Sequence, residues 1–331
     1  MLNVNILTGT PSRNRFLRQL NHSHLNNFQF FENSTLNLVW DIVIVYEELE
    51  KDVSVKYKKG GLVFISGEPP MSRVYSNNFL EQFDHLLTAH PKIKHKNNHL
   101  TQQALDWHYG FDFLTGKYNK DFEELKNAKP PIKIKNISII SSNKKMMPGH
   151  RKRFQFLEKL KNDFGDQIDF FGKGINPIND KAVAIDPYRF HICIENSAIN
   201  NYWSEKFADP LLGFSVPIYY GCKNIDMYYC ENSFINIDIK NYEECNKIIE
   251  KILKNPEDVY QQHFIKLVES RERLLNEYNI FNVIADTYIK YLKLENHEIK
   301  KIIYPSKNFK DYKFLMYRLR LKRLISKLIK Y

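Results

Sequence analysis

The sequence predicts an α/β protein with two domains, each built around a parallel sheet. Its 331 residues are about twice the length of a typical single domain, so two domains are expected. The 43% of apolar residues are enough to form large buried cores. Short apolar runs alternate with longer polar, helix-like stretches, which is typical of strand–helix–strand architecture.

The N-terminal half predicts a first α/β layer. Its apolar runs are rich in Val, Ile and Phe and are separated by long connections, which argues against hairpins. The predicted strands are Val4–Leu7, Leu38–Tyr46 and Leu62–Ser66. A segment with a Pro130-Pro131 pair and mixed charge, Lys126–Asn136, is the predicted linker. We therefore expect a first domain over residues 1–130 and a second over residues 131–290.

The second half predicts repeated strand–helix–strand units. The predicted strands are Ile137–Ser141, Ile168–Phe171, Phe190–Ile194, Val216–Tyr219 and Phe234–Ile237. The predicted helices are Arg151–Phe164, Ser204–Leu212 and Tyr242–Lys254, the first with a stripe of apolar side chains. Such units imply a parallel sheet, and ligands are expected at the carboxyl ends of its strands.

The net charge of +11 is concentrated at the C-terminus. Residues 307–331 hold nine Lys or Arg and one acidic residue, whereas the other 306 residues hold 40 basic and 37 acidic residues. Within residues 291–331, apolar side chains at Tyr317, Leu321, Leu324 and Leu328 recur at helical spacing. A basic amphipathic helix of this kind is typical of a peripheral anchor on an anionic membrane surface. The alternative is a helix that packs back on the protein.

Other composition signals narrow the class of protein. The sequence has four cysteines without CxxC spacing, no signal-peptide core and no apolar stretch of membrane-spanning length. These features favour a cytoplasmic protein, and the basic C-terminal helix favours the inner face of the membrane. The charge alone suggests nucleic-acid binding, but no RRM, KH or helix-turn-helix signature is present, so we expect no nucleic-acid partner. No convincing Asp-x-Asp pair is present, and we expect no metal requirement.

The densest group of chemically capable residues follows the strand Phe190–Ile194. Ser204 is a plausible N-cap, which places Glu205 and Lys206 in the first turn of a helix. The unpaired N–H groups and positive dipole of a helix N-terminus suit a phosphate, and Lys206 adds a charge. Glu205 suits sugar or ribose hydroxyls, and Tyr202 a stacked ring. The alternative is ordinary helix capping without a ligand.

The run FHICIENSAINNYWSEKFADPLLGFSVPIYYGC resembles the donor-site signature of the family-10 glycosyltransferases, the α-1,3/1,4-fucosyltransferases. The matching residues are Glu195-Asn196-Ser197, Tyr202, Ser204-Glu205-Lys206, Pro217 and Gly221. Nearby runs are similar to further family elements: SSN and RKRF before it, DFFGKG at Asp169–Gly174 and SFINI at Ser233–Ile237. The strong resemblance covers residues 137–250.

The resemblance implies a GT-B fold, with two Rossmann-like domains facing across a cleft. The donor would bind the C-terminal domain, and the acceptor the N-terminal one. It further implies inverting transfer of L-fucose from GDP-β-L-fucose to an oligosaccharide or lipid-linked glycan, with α-1,3 linkage in lipopolysaccharide or capsule. Phe64–Pro69 resembles the family's strand end with an acidic residue, which makes Glu68 the expected general base. Without the resemblance, a solvated turn residue is the favoured interpretation of Glu68.

The resemblance also assigns donor-site roles. Arg151 and Lys206 would neutralise the diphosphate, and Asn196 would donate a hydrogen bond to it. Glu195, Glu205 and Tyr202 would belong to the same donor site. Lys173, in the Gly172–Gly174 turn, is a weaker donor contact, with a solvated lysine as its alternative.

On the acceptor side, the aromatic-rich segment Trp107-His108-Tyr109 could line a sugar groove, although a core position is the favoured interpretation of Trp107 and Tyr109. His108 is a minor alternative base.

Rival functions remain open. Trp203 and Ile194 depart from the family pattern, which leaves another GDP-deoxyhexose as an alternative donor. A basic nucleic-acid-binding protein and a non-catalytic lectin-like module are the alternatives from other classes.

Overall fold

The structure is a computed structural model that describes residues 1–9, 16–21, 25–104, 106–141 and 148–328, without the side chains of residues 148–152 and 326–328. The described chain divides into two units. Unit 1 comprises Met1–Asp106 and Glu277–Tyr331, and unit 2 comprises Trp107–Asn276. Each unit is considered separately below.

Unit 1 contains a parallel sheet whose strands are buried apolar runs. In chain order its N-terminal elements are β1 Leu2–Thr8, β2 Phe28–Glu32, β3 Val39–Trp40, β4 Ile42–Tyr46, β5 Val53–Lys58, β6 Leu62–Ile65, α1 Asn77–Leu80, β7 His85–Thr88 and β8 Asn98–Leu100. Within the described residues, six strands pair in parallel in the order β2-β1-β4-β6-β7-β8. Strands β4 and β6 are buried along their whole length, as expected of a parallel sheet covered on both faces.

Unit 2 contains the second parallel sheet. Its elements are β9 Phe111–Asp112, β10 Lys117–Tyr118, α2 Phe122–Lys126, β11 Lys135–Ile140, α3 Pro148–Phe164, β12 Ile168–Phe171, β13 Tyr188–Ile194, α4 Glu205–Leu212, β14 Val216–Tyr220, β15 Ile235–Asn236, α5 Tyr242–Lys254 and α6 Pro256–Asn276. Where the structure describes the chain, five strands pair in parallel in the order β12-β11-β13-β14-β15. Because β11 and β13 are parallel neighbours, their carboxyl ends lie at the same edge of the sheet.

The last elements of the chain return to unit 1. They are α7 Ile280–Tyr291, β16 Glu298–Ile303 and α8 Lys310–Leu328. Ile280, Phe281 and Ile284 of α7 join the buried cluster that contains β1 and β4 side chains. Strand β16 pairs antiparallel with β5, so residues 291–309 are part of the folded unit.

The parallel α/β organisation predicted from the sequence is confirmed, but the unit boundaries differ from the predicted domains. Residues 107–130 belong to unit 2 because Phe122 and Leu125 of α2 are buried there and Arg271 of α6 donates to the Leu125 carbonyl. The predicted linker is also packed in unit 2, where the backbone N–H groups of Ile134 and Lys135 donate to the Pro187 carbonyl.

The predicted strand Leu38–Tyr46 is two strands in different sheets. The break falls at Asp41, whose carboxylate accepts the Asn3 backbone N–H at 2.7 Å and pairs with Lys58 at 2.6 Å. Asp41 interrupts the apolar run at this point and was the local sign of the change of sheet.

Candidate functional site

Unit 2 has a cavity of about 380 Å³ at the carboxyl edge of its sheet. Its walls come from the ends of β11, β12 and β13 and from the first turns of α4. This volume lies within the range of small-molecule sites, and the position is the one where open α/β sheets bind ligands. Among the described residues, the charged side chains of the lining are Arg153, Lys173, Lys181, Glu205, Lys206 and Asp209.

The wall formed by α4 begins at a cap held from the neighbouring strand. Ser204 is the N-cap, as predicted, and its hydroxyl accepts the Lys206 backbone N–H. The Ser204 backbone N–H and hydroxyl in turn donate to the Glu195 carboxylate at 2.7 Å. Glu195 follows β13 and is buried, and burial raises the pKa of its carboxyl. Its contacts make Glu195 a residue that positions the start of α4, whereas the sequence predicted a donor contact.

Lys206 lies at the centre of the charged wall. Its Nζ is 3.2 Å from Glu205 Oε1 and 3.5 Å from Glu195 Oε2. Burial lowers the pKa of Lys206, but the two carboxylates outweigh burial and raise it above its usual value. Burial likewise raises the pKa of Glu205, and Lys206 and Lys181 outweigh it, so this pKa lies well below its usual value. Both side chains are therefore held in their charged forms.

A second lysine, which the sequence analysis missed, completes this wall. Lys181 Nζ is 2.6 Å from Asp209 and 3.7 Å from Glu205. Burial opposes its charge, but these carboxylates raise the pKa of Lys181. A signal was present in the sequence: Glu205 and Asp209 are four residues apart on one face of α4, where two like charges are destabilising unless a cation pairs with them.

On the opposite side of the cavity, an arginine of α3 contacts a residue that the sequence singled out. Arg153 Nη1 donates to Asn196 Oδ1 at 3.1 Å, and burial lowers the pKa of Arg153. The residue predicted from the sequence to neutralise the diphosphate was Arg151, whose side chain lies outside the described residues. Both arginines belong to the run RKRF, and Arg153 is the one whose side chain is described at the cavity.

Lys173 lines the cavity from an exposed turn after β12. Gly172 precedes it with φ +124°, and a Cβ there would overlap the Ser141 carbonyl oxygen. Only glycine fits this close approach between two strand ends. The turn therefore fixes the point from which Lys173 extends.

The predicted aromatic contacts lie mainly in the core. Tyr202 is buried, so its ring is not offered to a ligand. Trp107 is 0% exposed and Tyr109 4%, which matches the core interpretation of both residues. They belong to unit 2, not to an N-terminal acceptor domain, because Asp209 accepts the backbone N–H groups of His108 and Tyr109 at 2.9 and 3.0 Å.

Glu68 lies at the carboxyl edge of the sheet in unit 1, three residues beyond the buried end of β6. Its side chain is exposed, and its carbonyl oxygen is 2.7 Å from His90 Nε2. This placement supports the predicted role, since an exposed carboxylate on a buried strand end is accessible and its backbone is fixed.

A second carboxylate beside Glu68 was missed from the sequence. Glu47 follows β4, and its carboxyl carbon would lie 3.2 Å from a Cβ added to Gly67. Its φ of +68° is uncommon for a residue with a side chain, and such strain is concentrated at functional sites. The buried Tyr75 lies nearby, and burial and Glu47 raise its pKa well above the usual value.

The described residues contain neither a cluster of metal ligands nor a membrane-spanning helix. No three His, Cys, Asp or Glu side chains there are grouped so that they could hold a metal ion. No described helix is both long and apolar enough to cross a membrane.

The chain is similar in sequence and in fold to known proteins. Residues 130–272 match the family model "Glycosyltransferase family 10 (fucosyltransferase) C-term". The chain is 31% identical over 68 residues to the alpha-(1,3)-fucosyltransferase FucT of Helicobacter pylori, covering 20% of this chain and 14% of that protein. It is 29% identical over 109 residues to alpha-(1,3)-fucosyltransferase B of Drosophila melanogaster, covering 31% and 24% respectively. The chain thus spans less than a quarter of the length of either curated relative.

Among solved structures, an alpha1,3-fucosyltransferase with GDP aligns over 88% of this chain and 91% of its own, with 15% identity and a TM-score of 0.51. This similarity shows the fold: two α/β units with parallel sheets, as in the GT-B fold. The matched segment, residues 130–272, contains the cavity-lining residues from Ile140 to Pro210 and is similar to the C-terminal part of glycosyltransferase family 10.

Proposed function

We propose that the protein transfers L-fucose from GDP-β-L-fucose to a hydroxyl group of a glycan, with inversion at the transferred carbon. The cation-rich cavity at the carboxyl edge of unit 2, within the family-10 domain, is the observation that carries this proposal. We infer the sugar and the α-1,3 linkage from the similarity to alpha-(1,3)-fucosyltransferases. We infer the nucleotide from the similarity to an alpha1,3-fucosyltransferase whose structure was solved with GDP.

The diphosphate of the donor fits the walls of the cavity in unit 2. Lys206 and Lys181 are held charged beside the first turn of α4, and the positive end of that helix adds to their field. Arg153 provides planar donors from the opposite wall, suited to phosphate oxygens. These groups would stabilise the negative charge that develops on GDP as it leaves.

The chemical step needs a base for the incoming hydroxyl. In the proposed displacement, the acceptor oxygen bonds to C1 of fucose while the bond from C1 to the phosphate oxygen breaks. The acceptor proton passes to the Glu68 carboxylate, and GDP departs with the bonding electrons. One attack on one face inverts the configuration at C1.

The acceptor we propose is an oligosaccharide or a lipid-linked glycan of the lipopolysaccharide or capsule type. Unit 1 contains a cavity of about 710 Å³ beside the ends of β1 and β2. Neutral amide and hydroxyl groups are frequent in its lining, among them Asn33, Thr35, Asn37 and Ser54. Such groups pair with ring hydroxyls without requiring charge, which suits a neutral sugar.

The specific donor sugar depends on two positions that depart from the family pattern. Trp203 is buried against Phe207 and Tyr229, at ring-centroid distances of 6.4 and 5.2 Å, so its side chain serves the core. Ile194 lines the cavity. A different GDP-deoxyhexose is therefore the second candidate, and Ile194 is the position that favours it.

A screen of donors tests the proposal directly. We expect GDP and GDP-fucose to raise the melting temperature, whereas UDP-glucose and dTDP-sugars leave it unchanged, because only ligands that bind the native state stabilise it. GDP-mannose serves as the matched control for the sugar. Stabilisation by UDP- or dTDP-sugars instead of GDP would contradict the nucleotide assignment, and transfer from another GDP-deoxyhexose would identify the second candidate.

We further propose that α8 holds the protein on the anionic inner face of the membrane. Large apolar side chains on one stripe of this helix are exposed, with Phe314 at 61%, Tyr317 at 59% and Leu324 at 51%. The basic residues of the same helix would attract anionic lipid, each contributing about 1 kcal/mol.

Sedimentation with vesicles tests this location. We expect the protein to pellet with phosphatidylglycerol vesicles and to stay in solution with phosphatidylcholine vesicles. A Phe314→Asp/Tyr317→Asp variant should stay in solution with both. Pelleting of that variant at the wild-type level would show that α8 is not the membrane contact.

A further inference from the structure

The exposed helix α8 contacts the loop that carries Glu68. We call residues 67–76, between β6 and α1, the base loop. Arg323 of α8 donates to the Met71 carbonyl oxygen from Nε at 3.3 Å and from Nη2 at 3.0 Å. Nη2 also donates to the Ser72 carbonyl oxygen at 2.6 Å. One guanidinium thus holds two successive carbonyls, three and four residues after Glu68.

The base loop is fixed at its other points by unit 1 itself. The Glu68 carbonyl oxygen lies 2.7 Å from His90 Nε2, and the Pro69 carbonyl oxygen accepts the Ser72 and Arg73 N–H groups at 2.8 and 3.0 Å. These bonds close a turn directly after Glu68. Its far side, the Met71 and Ser72 carbonyls, is the part that Arg323 holds.

The segment before α8 is tied to the same loop. Arg73 Nη2 donates to Glu48 Oε2 at 2.5 Å, and Ser306 donates to the same carboxylate from its backbone N–H, at 2.8 Å, and from its hydroxyl. Glu48 therefore joins the base loop to the chain that enters α8. The chain is therefore anchored at Ser306, four residues before α8 begins, and again at Arg323 within α8.

The two faces of α8 have different environments. Leu319 and Arg323 are four residues apart on one face, and Leu319 is 5% exposed. Phe314, Tyr317 and Leu321 lie on the exposed stripe. The same helix therefore presents an apolar stripe to solvent and holds the base loop with its other face.

We propose that Arg323 is a positioning residue for the transfer reaction, because it holds the base loop and thereby orients Glu68. This inference rests on the proposed function, in which Glu68 takes the acceptor proton. Small displacements of a reacting group cost up to about 100-fold in rate, so loosening the loop acts on the chemical step. The contacts of Arg323 with Met71 and Ser72 lie within unit 1, so we expect its loss to leave donor binding unchanged.

The test compares Arg323→Ala, Arg323→Lys and Arg320→Ala in the full chain, without vesicles and with a soluble glycan acceptor. Arg320 is exposed on the same helix, so its variant removes an equal charge without touching the base loop. We expect kcat to fall about 10- to 100-fold in Arg323→Ala while KM for GDP-fucose stays unchanged. Lysine should restore part of kcat, and Arg320→Ala should match the wild type.

Hydrogen exchange of the base loop provides a readout that is independent of activity. Exchange in residues 69–76 should accelerate in Arg323→Ala and not in Arg320→Ala. Wild-type kcat in Arg323→Ala, equal losses in both alanine variants, or unchanged exchange in the loop would overturn the proposal. If the wild type transfers no sugar from any GDP donor, the proposed function fails, and the exchange arm still decides whether Arg323 holds the loop.

Discussion

The carboxyl edges of the two parallel sheets present different charged side chains. In unit 1, Glu47 follows β4 and Glu68 follows β6. In unit 2, Lys173 follows β12, and Lys206 lies in the first turn of the helix after β13. Under the proposed function, the first edge accepts a proton and the second binds the diphosphate.

The two edges also differ in how their charges are held. Glu68 is exposed, whereas Lys206 contacts Glu195, Ser204 and Glu205 in a buried network. A preorganised network stabilises a leaving anion because its dipoles need no reorientation during the reaction. An exposed carboxylate can receive a proton from a bound hydroxyl. Under the proposed function, the base lies in unit 1 and donor binding in unit 2. The first two of the following predictions test that division, and the third tests the stability of unit 2.

Glu68→Gln should have the largest effect. The amide keeps the shape of the side chain but cannot accept the acceptor proton, so kcat should fall about 10³-fold, within the range for general base catalysis. Steady-state transfer from GDP-fucose measures it. Glu81→Gln, an exposed carboxylate of the same unit, is the control and should retain wild-type turnover. Turnover above a tenth of wild type in Glu68→Gln would remove Glu68 as the base.

Lys206→Ala should weaken the affinity for GDP about 30-fold, or about 2 kcal/mol, as expected for a charged hydrogen bond to phosphate. Calorimetric titration of GDP measures this loss. Lys251→Ala, which removes an exposed charge from α5, is the control for net charge in unit 2. An unchanged Kd in Lys206→Ala would contradict the anion-binding edge.

His191→Gln should reduce the acid sensitivity of unit 2. His191 is buried on β13 behind the cavity, 2.8 Å from Ser138 Oγ, and burial lowers its pKa to about 3. Because this folded-state pKa lies below the unfolded value, the stability it contributes is present above pH 6.5 and is lost as the pH falls from 6.5 towards 3. Between pH 6.5 and 5 the wild type should lose about 2 kcal/mol more than His191→Gln.

Urea unfolding at pH 6.5 and pH 5, followed by tryptophan fluorescence, measures this difference. Trp107 and Trp203 both lie in unit 2 and report on its unfolding. Parallel losses in wild type and variant would show that His191 does not titrate in this range.

Local sequence patterns predicted the part of the site that lies on one short segment. Ser204, Glu205 and Lys206 were placed correctly at the start of a helix because a cap and its first turn are set by adjacent residues. Lys181 was missed because it meets Asp209 from 28 residues away. Arg153 was missed because the helix phase of α3 is fixed by packing, which the run RKRF alone does not reveal.

The unit boundaries were also beyond local patterns. The Pro130-Pro131 pair is a local turn signal, but the backbone that follows it pairs with Pro187, inside unit 2. Helix α7 returns to unit 1 because its apolar face completes the core around β1 and β4. The exposed apolar stripe of α8 was predicted from helical spacing, whereas the contact of Arg323 with the base loop depends on residues about 250 positions apart.

A side-by-side titration of GDP into Glu68→Gln and Lys206→Ala tests the central division of labour most directly. The account predicts that Glu68→Gln, although it no longer transfers fucose, binds GDP within about twofold of the wild type. It predicts that Lys206→Ala binds GDP about 30-fold more weakly. Equal affinity in the two variants, or weakened GDP binding in Glu68→Gln, would contradict the assignment of donor binding to unit 2 and base catalysis to unit 1.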